Sequence, residues 1–289
     1  MKIGLCISGE LGFRCFVNLI ETEEISFVLT DSHSSKIIDL ANKAAISIFR
    51  GNPRNGKAST FVKSKDLACD LLLSINYLFI IEKDLIELPK KYALNIHGSL
   101  LPKYRGRTPH VWSIINGEDI TGITAHLIDE ECDEGPIALQ KEIPIDPTDT
   151  GGDILNKFFE IYPGFVSELL SQVKNDSIRF ENQDQSKASY FGKRTAEDGH
   201  INWNWDGNRI YNWVRAQAKP YPMAFAFFRG VKVLINRVSF EESKEKFECR
   251  NGMILSVDPN PKVKITNGVI ELEEYYIEEQ KLEKGGILE

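Results

Sequence analysis

The 289-residue chain is predicted to be an α/β protein, with a doubly wound, mostly parallel sheet followed by a small β-rich domain. Three observations predict this. Strand and helix signals alternate through the first half with short connections. LACDLLLSIN holds a short, nearly continuous apolar run, as a central strand covered on both faces requires. Beyond the polar stretch ENQDQSKAS, short strand-like runs separated by turn residues replace the alternation. The boundary is set at 185/186, giving domains of 1–185 and 186–289.

Taken in order, KIGLCI is a buried strand and LGFRCFVNLIE a helix after a glycine-containing turn. ISFVLTD is the second strand. SSKIIDLANKAAISIF is a helix with serine at its start. LACDLLLSIN and ALNIH supply central strands, PHVWSIING a helix, and TGITAHLID and PIALQKEIPI two further strands. DILNKFFEIYPGFVSELLSQV is helical, with a kink or break expected at Pro163-Gly164. ENQDQSKAS reads as a linker or surface loop. GNRIYNWVRAQA is a helix, and MAFAFFRG, VKVLINRVSFE, GMILSV, KVKITNG and VIELEEYYI are short strands.

Composition narrows the function classes. The net charge of -7, from 35 basic and 42 acidic residues, argues against a general nucleic-acid binder. No run of about 18 apolar residues exists, so no membrane span is expected. MKIGLCISGELGF lacks a small-residue cleavage site and reads as a first strand rather than a signal peptide. Cys6, Cys15, Cys69, Cys132 and Cys249 are odd in number and lack CxxC spacing, which suggests reduced core thiols in a cytoplasmic protein. SGELGF does not fit GxGxxG, so no nicotinamide or flavin site is expected.

Three segments carry candidate chemistry. In LNIHGSLLPKYRGRTPH, the spacing of two puts Asn95 and His97 on one side of a strand, at its C-terminal end, where open α/β sheets place ligands. A histidine serves as a general base near neutral pH, and an asparagine amide donates to a developing oxyanion. Taken alone, the pair fits better a strand cap at His97 and the start of a turn at Asn95. The loop Ser99–Gly106 offers Lys103 and Arg105, with Arg107 after it, to a phosphate or carboxylate, or else it is a solvated basic loop. IDEECDEGPI ends a strand in an acidic loop. An aspartate there, near His97, would orient the imidazole and stabilise its protonated form. The alternative is a solvated acidic turn. A single plausible histidine accompanies these carboxylates, so no metal is expected.

Together the segments read N-x-H-x-S-L-L-P-x-Y-R-G, a helix, T-G-I-T-x-H, then D-x-x-x-D-x-G-P-I. This set, over roughly residues 70 to 155, resembles the folate-dependent formyltransferases, which carry it on a Rossmann-like domain. The resemblance places the family's catalytic Asn, His and Asp on Asn95, His97 and Asp133. It implies transfer of a formyl group from 10-formyltetrahydrofolate, as donor co-substrate and without a metal, to an amine. Asn95 and His97 would then flank the carbonyl under attack, and Asp133 would hold His97 and help relay the proton. By position, the pterin should meet Phe79, Ile80, Ile81 and Glu82 and the loop from Asp129 through Glu131 to Cys132, although Phe79 fits plain core equally. The sugar diphosphate would meet Lys103 or Arg105, with Ser8, Gly9 and Glu10 at the first strand end. Ser99 and Tyr77 are further substrate candidates. Tyr221 and Trp213 either stack on a base or pack the second domain.

The acceptor is read from the remainder. Glycinamide ribonucleotide transformylases usually end near residue 200, and formyltetrahydrofolate hydrolases add an N-terminal domain. Methionyl-tRNA enzymes typically have a basic C-terminal domain. Here Tyr190 to Glu289 carries 15 basic and 15 acidic residues. HGSLLPKYRGRTPHVW, YFGKRTAEDGHINW and VRAQAKPYPMAFAF resemble nucleotide-sugar N-formyltransferases, including the type that formylates UDP-4-amino-4-deoxyarabinose. The expected acceptor is therefore a dTDP- or UDP-linked amino-deoxy sugar of bacterial lipopolysaccharide, O-antigen or other surface glycan. Methionyl-tRNA is the alternative. The expected partners are folate and the nucleotide sugar, with no nucleic acid or membrane, and MAFAFF and VKVLINRV suggest a homodimer. Rival classes are a hydrolase releasing formate and a binding module that has lost activity.

Overall fold

The computed structural model describes residues 1–243 and 247–289. In chain order the first half contains β1 (Lys2–Ile7), α1 (Gly9–Thr22), β2 (Glu24–Thr30), α2 (Ser35–Lys43), β3 (Ser47–Arg50), α3 (Lys57–Ser64), β4 (Leu71–Ile75), α4 (Lys83–Ile86), β5 (Tyr92–His97), β6 (Arg105–Gly106), α5 (Pro109–Ile115), β7 (Ile120–Leu127) and β8 (Ile137–Pro144). The remainder contains α6 (Gly151–Lys174), β9 (Tyr190–Phe191), α7 (Gly207–Ala216), β10 (Ala224–Phe228), β11 (Val231–Glu242), β12 (Ile254–Ser256), β13 (Lys262–Ile265) and β14 (Gly268–Ile277).

The chain divides into two compact units. The first holds Met1–Gly106, Gly122–Ile143 and Lys157–Tyr190; the second holds Arg107–Thr121, Pro144–Asn156 and Phe191–Glu289. Segments 107–121 and 144–156, which a single cut at 185/186 leaves in the first domain, therefore group with the second unit.

The first unit is built on a seven-stranded sheet in the order β3-β2-β1-β4-β5-β7-β8. The pairs from β3 through β5 are parallel, and β7 runs antiparallel to β5. In β1 the alternation of side chains separates two layers. Cys6 joins Phe27, Leu29, Leu72, Ala58 and Val62 on the face covered by α3. Ile7 faces α1, where a Cβ on Gly12 would lie 3.0 Å from it. On that side α6 buries Phe158, Tyr162, Phe165 and Leu169. The five-stranded antiparallel sheet of the second unit, β10-β11-β14-β13-β12, packs its core against Ile210 and Val214 of α7.

Two elements differ from expectation. The run SSKIIDLANKAAISIF is not one helix: α2 ends at Lys43, Ala45 takes a left-handed φ of 54°, and the alternating Ser-Ile-Phe-Arg becomes β3. Helix α6 continues through Pro163 without a break. Its start is fixed by Thr150 and Asp153, whose side chains bond each other and each other's backbone N–H. Cys6, Cys15 and Cys69 are buried, whereas Cys132 is exposed and Cys249 half-buried, so those two are not core thiols. No helix among the described residues is long and apolar enough to cross a membrane.

Candidate active site

Strand β5 delivers Asn95 and His97 at its C-terminal end, and β7 lies beside it with Asn95 opposite His126 and His97 opposite Thr124. The loop after β7 then returns Asp133. Its backbone has a φ of 59°, a left-handed conformation that costs an aspartate of order 1–3 kcal/mol and must be held by its surroundings. Part of that hold is close packing. A Cβ on Gly135 would sit 1.9 Å from the Leu127 carbonyl oxygen, so only glycine lets the loop lie against β7.

The hydrogen bonds fix each side chain's orientation. His97 is 6% exposed, and its Nε2 lies 2.8 Å from the Tyr104 carbonyl oxygen. A carbonyl only accepts, so Nε2 carries the hydrogen and Nδ1 is left facing Asp133 Oδ2 at 3.5 Å. His126 Nδ1 donates to the Leu127 carbonyl (2.7 Å), which makes its Nε2 the acceptor for Asn95 Nδ2 at 3.1 Å. A longer contact, 3.5 Å, joins Asn95 Nδ2 to Asp133 Oδ1. Gly106 N–H donates to Asp133 Oδ2 at 2.9 Å.

Electrostatics follow from this geometry. Burial pushes His97 below its ordinary 6.5; Asp133 and the Tyr104 carbonyl oppose the shift, and His126 and Arg105 add to it. Burial alone would raise Asp133, but His97, His126 and the Gly106 N–H outweigh it and hold the carboxyl well below the usual carboxylate range. The cluster is therefore a carboxylate beside a neutral imidazole whose bare nitrogen faces it. A proton reaching Nδ1 is stabilised at once by Asp133, so the pair is built to accept a proton, and the neighbouring amide is a fixed dipole.

The other residues singled out from sequence divide. Segment 76–82 leaves β4 directly beside the end of β5, and β1 lies next to β4, so 79–82 and 8–10 open at the same sheet edge. There Leu78 and Ile80 are 45% and 61% exposed, Phe79 packs edge-on against Tyr77, and Ile81 packs onto the core. Glu82 accepts the Asn55 N–H at 2.8 Å. Asp129 is raised by burial, and Glu131 is exposed. Tyr77 is largely buried, its hydroxyl has no hydrogen-bond partner among the described residues, and burial raises its pKa. The Ser8 carbonyl accepts from Asn76, Gly9 N–H donates to Ser34 Oγ, and Glu10 is paired with Lys36 (2.8 Å) and Arg14 (3.2 Å). Glu10 is thus already engaged. A cavity of about 170 Å³ lies here between Gly9, Glu10, Ser34 and Lys36.

Two substrate roles are corrected. The Ser99 hydroxyl is fully buried and donates to the Lys103 carbonyl at 2.7 Å, so it shapes the loop. Arg105 is 0% exposed. Its Nε and Nη2 donate to Gln183 Oε1 (3.1 and 2.7 Å), and Nη1 donates to Gln185 Oε1 (2.9 Å) and to the Tyr190 hydroxyl, with Glu134 nearby. No face of the guanidinium is left for a phosphate. Lys103 is exposed. Tyr221 lies in the second unit, where its hydroxyl meets His110 Nε2 at 2.6 Å and burial pushes its pKa up to about 12. Trp213 in the same unit has Arg194 over its ring at 4.3 Å.

Sequence reading missed His126 and Gln183. His126 was visible in TGITAHLID, but only the antiparallel pairing of β7 with β5 sets it opposite Asn95. Gln183 sits in the polar stretch read as a linker, yet it is 8% exposed.

With this geometry in view, the comparisons are specific. Residues 22–168 match the formyl transferase domain and residues 193–286 the formyl transferase C-terminal domain. The chain belongs to the formyl transferase family. It is 33% identical over 261 residues to the bifunctional polymyxin resistance protein ArnA of Wigglesworthia glossinidia brevipalpis, covering 87% of this chain and 39% of that protein, so it spans about two fifths of that relative's length. Two solved structures share the fold at 19% identity. WlaRD, a sugar 3N-formyl transferase crystallised with dTDP and 5-N-formyl-THF, has a TM-score of 0.69 over 97% of this chain and 99% of its own. The N-formyltransferase of Helicobacter canadensis, in complex with folinic acid and dTDP-3-aminofucose, has a TM-score of 0.70 over 95% and 98%.

Proposed function

We propose that this formyltransferase moves a formyl group from 10-formyltetrahydrofolate to the amine of a dTDP- or UDP-linked amino-deoxy sugar. The observation that carries the reading is the cluster of Asn95, His97 and Asp133, with Nδ1 of His97 facing the Asp133 carboxylate. Family membership makes formyl transfer the reaction. The named activities of its relatives, together with a C-terminal part of balanced charge, favour a sugar over a tRNA acceptor.

The folate supplies the formyl group. The exposed Leu78 and Ile80, at the sheet edge beside Asn95 and His97, suit the flat face of a pterin, and backbone groups of 129–132 would reach its polar rim. Asn95, oriented by His126, presents its amide where negative charge develops on the carbonyl oxygen. The acceptor amine attacks the formyl carbon and must lose a proton; His97 Nδ1 takes it, stabilised by Asp133, and gives a proton to N10 as the bond between the formyl carbon and N10 breaks, releasing tetrahydrofolate and the N-formyl sugar. We further place the protein in the cytoplasm as a homodimer serving bacterial surface-glycan synthesis, lipopolysaccharide O-antigen included.

The test is to incubate the protein with 10-formyltetrahydrofolate and, in separate reactions, dTDP- and UDP-linked 3- or 4-amino-deoxy sugars and methionyl-tRNA, and to follow gain of one formyl group by mass spectrometry. Formylation of an amino sugar is expected. Formylation of the tRNA alone, or release of formate without any amine, overturns the reading.

A further inference from the structure

We propose that Gln183 is a positioning residue for Asp133, clamping the two loops that frame the catalytic pair. The inference rests on the formyl-transfer reading for its kinetic part, while its structural part can be tested without substrate.

Gln183 uses every valence of its amide. Nε2 donates to the carbonyl oxygens of Asp133 (2.9 Å) and Gly135 (2.8 Å). Oε1 accepts from Arg105 Nε and Nη2. Two donors and two acceptor sites are thus filled, which is the full capacity of the group. The orientation is unambiguous, because the flipped amide would aim its N–H bonds at a guanidinium and its oxygen at two carbonyls.

What Gln183 joins is informative. On one side, its bonds bracket the left-handed Asp133 by holding the carbonyls at 133 and 135. On the other side, Arg105 belongs to the loop whose Tyr104 carbonyl accepts from His97 Nε2 and whose Gly106 N–H donates to Asp133 Oδ2. The surrounding segment repeats the pattern. Glu181 exchanges both backbone bonds with Ile137; Ser189 accepts the N–H of Arg105 on its carbonyl and that of Tyr104 on its hydroxyl; the Tyr190 hydroxyl bridges Arg105 and Glu134. Residues 181–190 therefore act as a strap across both loops. Gln183 is its buried centre and ties it directly to the Asp133 backbone. Such ties matter because a displacement of about 1 Å at a catalytic group costs on the order of 100-fold in rate.

Two substitutions separate this role from plain stabilisation. Gln183→Leu removes both functions. Gln183→Glu keeps an acceptor for Arg105, now as an ion pair, but loses both donors. The primary measurement is a pH titration of His97 by ¹⁵N NMR on the full chain, with its signal identified among the five histidines by a His97→Gln variant. The titratable and charged groups facing His97 are Asp133, His126 and Arg105; Asp133 is the one charge that raises its midpoint, with the Tyr104 carbonyl adding to it through its hydrogen bond. Displacing Asp133 should lower the His97 midpoint by about half a pH unit or more in both variants. With the amino-sugar substrate, kcat should fall about 10- to 100-fold in both, with both KM values within about threefold of wild type. If Gln183→Glu keeps the wild-type His97 midpoint and kcat, Gln183 serves only Arg105 and the proposal is overturned. It is overturned equally if neither variant moves the His97 midpoint. Should the wild type formylate no amino sugar, the titration still decides the positioning role, and the failure belongs to the functional reading.

Discussion

Asn95 Nδ2 lies 3.1 Å from His126 Nε2, across the register pair that joins β5 to β7. Because His126 Nδ1 is committed to the Leu127 carbonyl, only Nε2 can accept, and the amide has one preferred way to face. His126 therefore sets the direction of the group proposed to meet the developing oxyanion. Asn95→Ala should lower kcat about 100- to 1,000-fold. His126→Leu should lower it less, about 10-fold, with KM for folate little changed, since the amide remains but loses its guide. Steady-state kinetics on both variants checks this, and a fully active His126→Leu would remove the guiding role.

The His97–Asp133 pair predicts a pH dependence with a definite sign. His97 has a folded pKa below 6.5, so unfolded chain binds the extra proton between the two values. Its contribution to stability is therefore complete above about 6.5 and declines as pH falls toward the folded value. Asp133, depressed in the fold, adds a further loss as pH drops below about 4. Asp133→Asn removes the one charge that raises His97, so the acid limb of kcat/KM should move to lower pH while its plateau falls. Rate–pH profiles of the two proteins give the answer; an acid limb moving upward would contradict the assignment.

Arg105 is a structural cation rather than a phosphate ligand. Arg105→Lys cannot satisfy Gln183, Gln185 and Tyr190 together. It should cost about 2–4 kcal/mol of stability by leaving buried acceptors unmet. It should also lower kcat without selectively raising KM for the nucleotide sugar. Denaturant titration and kinetics separate the two readings, and a selective rise in that KM with unchanged stability would restore the phosphate role.

Much of the fold was legible because its signals are local. The unbroken apolar run of β4 and the two-residue spacing of Asn95 and His97 each declare themselves within a few residues. Pro163 misled because its neighbours Phe158, Tyr162, Phe165 and Val166 are all buried, and that packing carries α6 past one missing hydrogen bond. The error at 44–50 has a similar origin, since Ile-Ser-Ile-Phe reads as helix or strand until Ala45 is seen to turn. Asp133 was found through its motif, but its left-handed backbone was not. His126 and Gln183 were invisible as site residues because each acquires its role from a partner far along the chain. No periodicity within TGITAHLID or ENQDQSKAS points to Asn95 or Asp133.

The strap at 181–190 lies between the two matched regions, which end at 168 and begin at 193. Someone exchanging C-terminal portions between relatives to redirect acceptor choice would naturally cut in that gap. A junction at 169 imports the whole strap from the donor and mates a foreign residue 183 with Arg105 and with the Asp133 and Gly135 carbonyls; one at the compositional boundary of 185 imports its second half and mates foreign residues with Arg105. A junction at 191 or 192 carries the whole native strap with its own loops. Chimaeras differing by only a few residues at the seam should therefore fall into working and failing classes, with the seam rather than the transplanted piece deciding which.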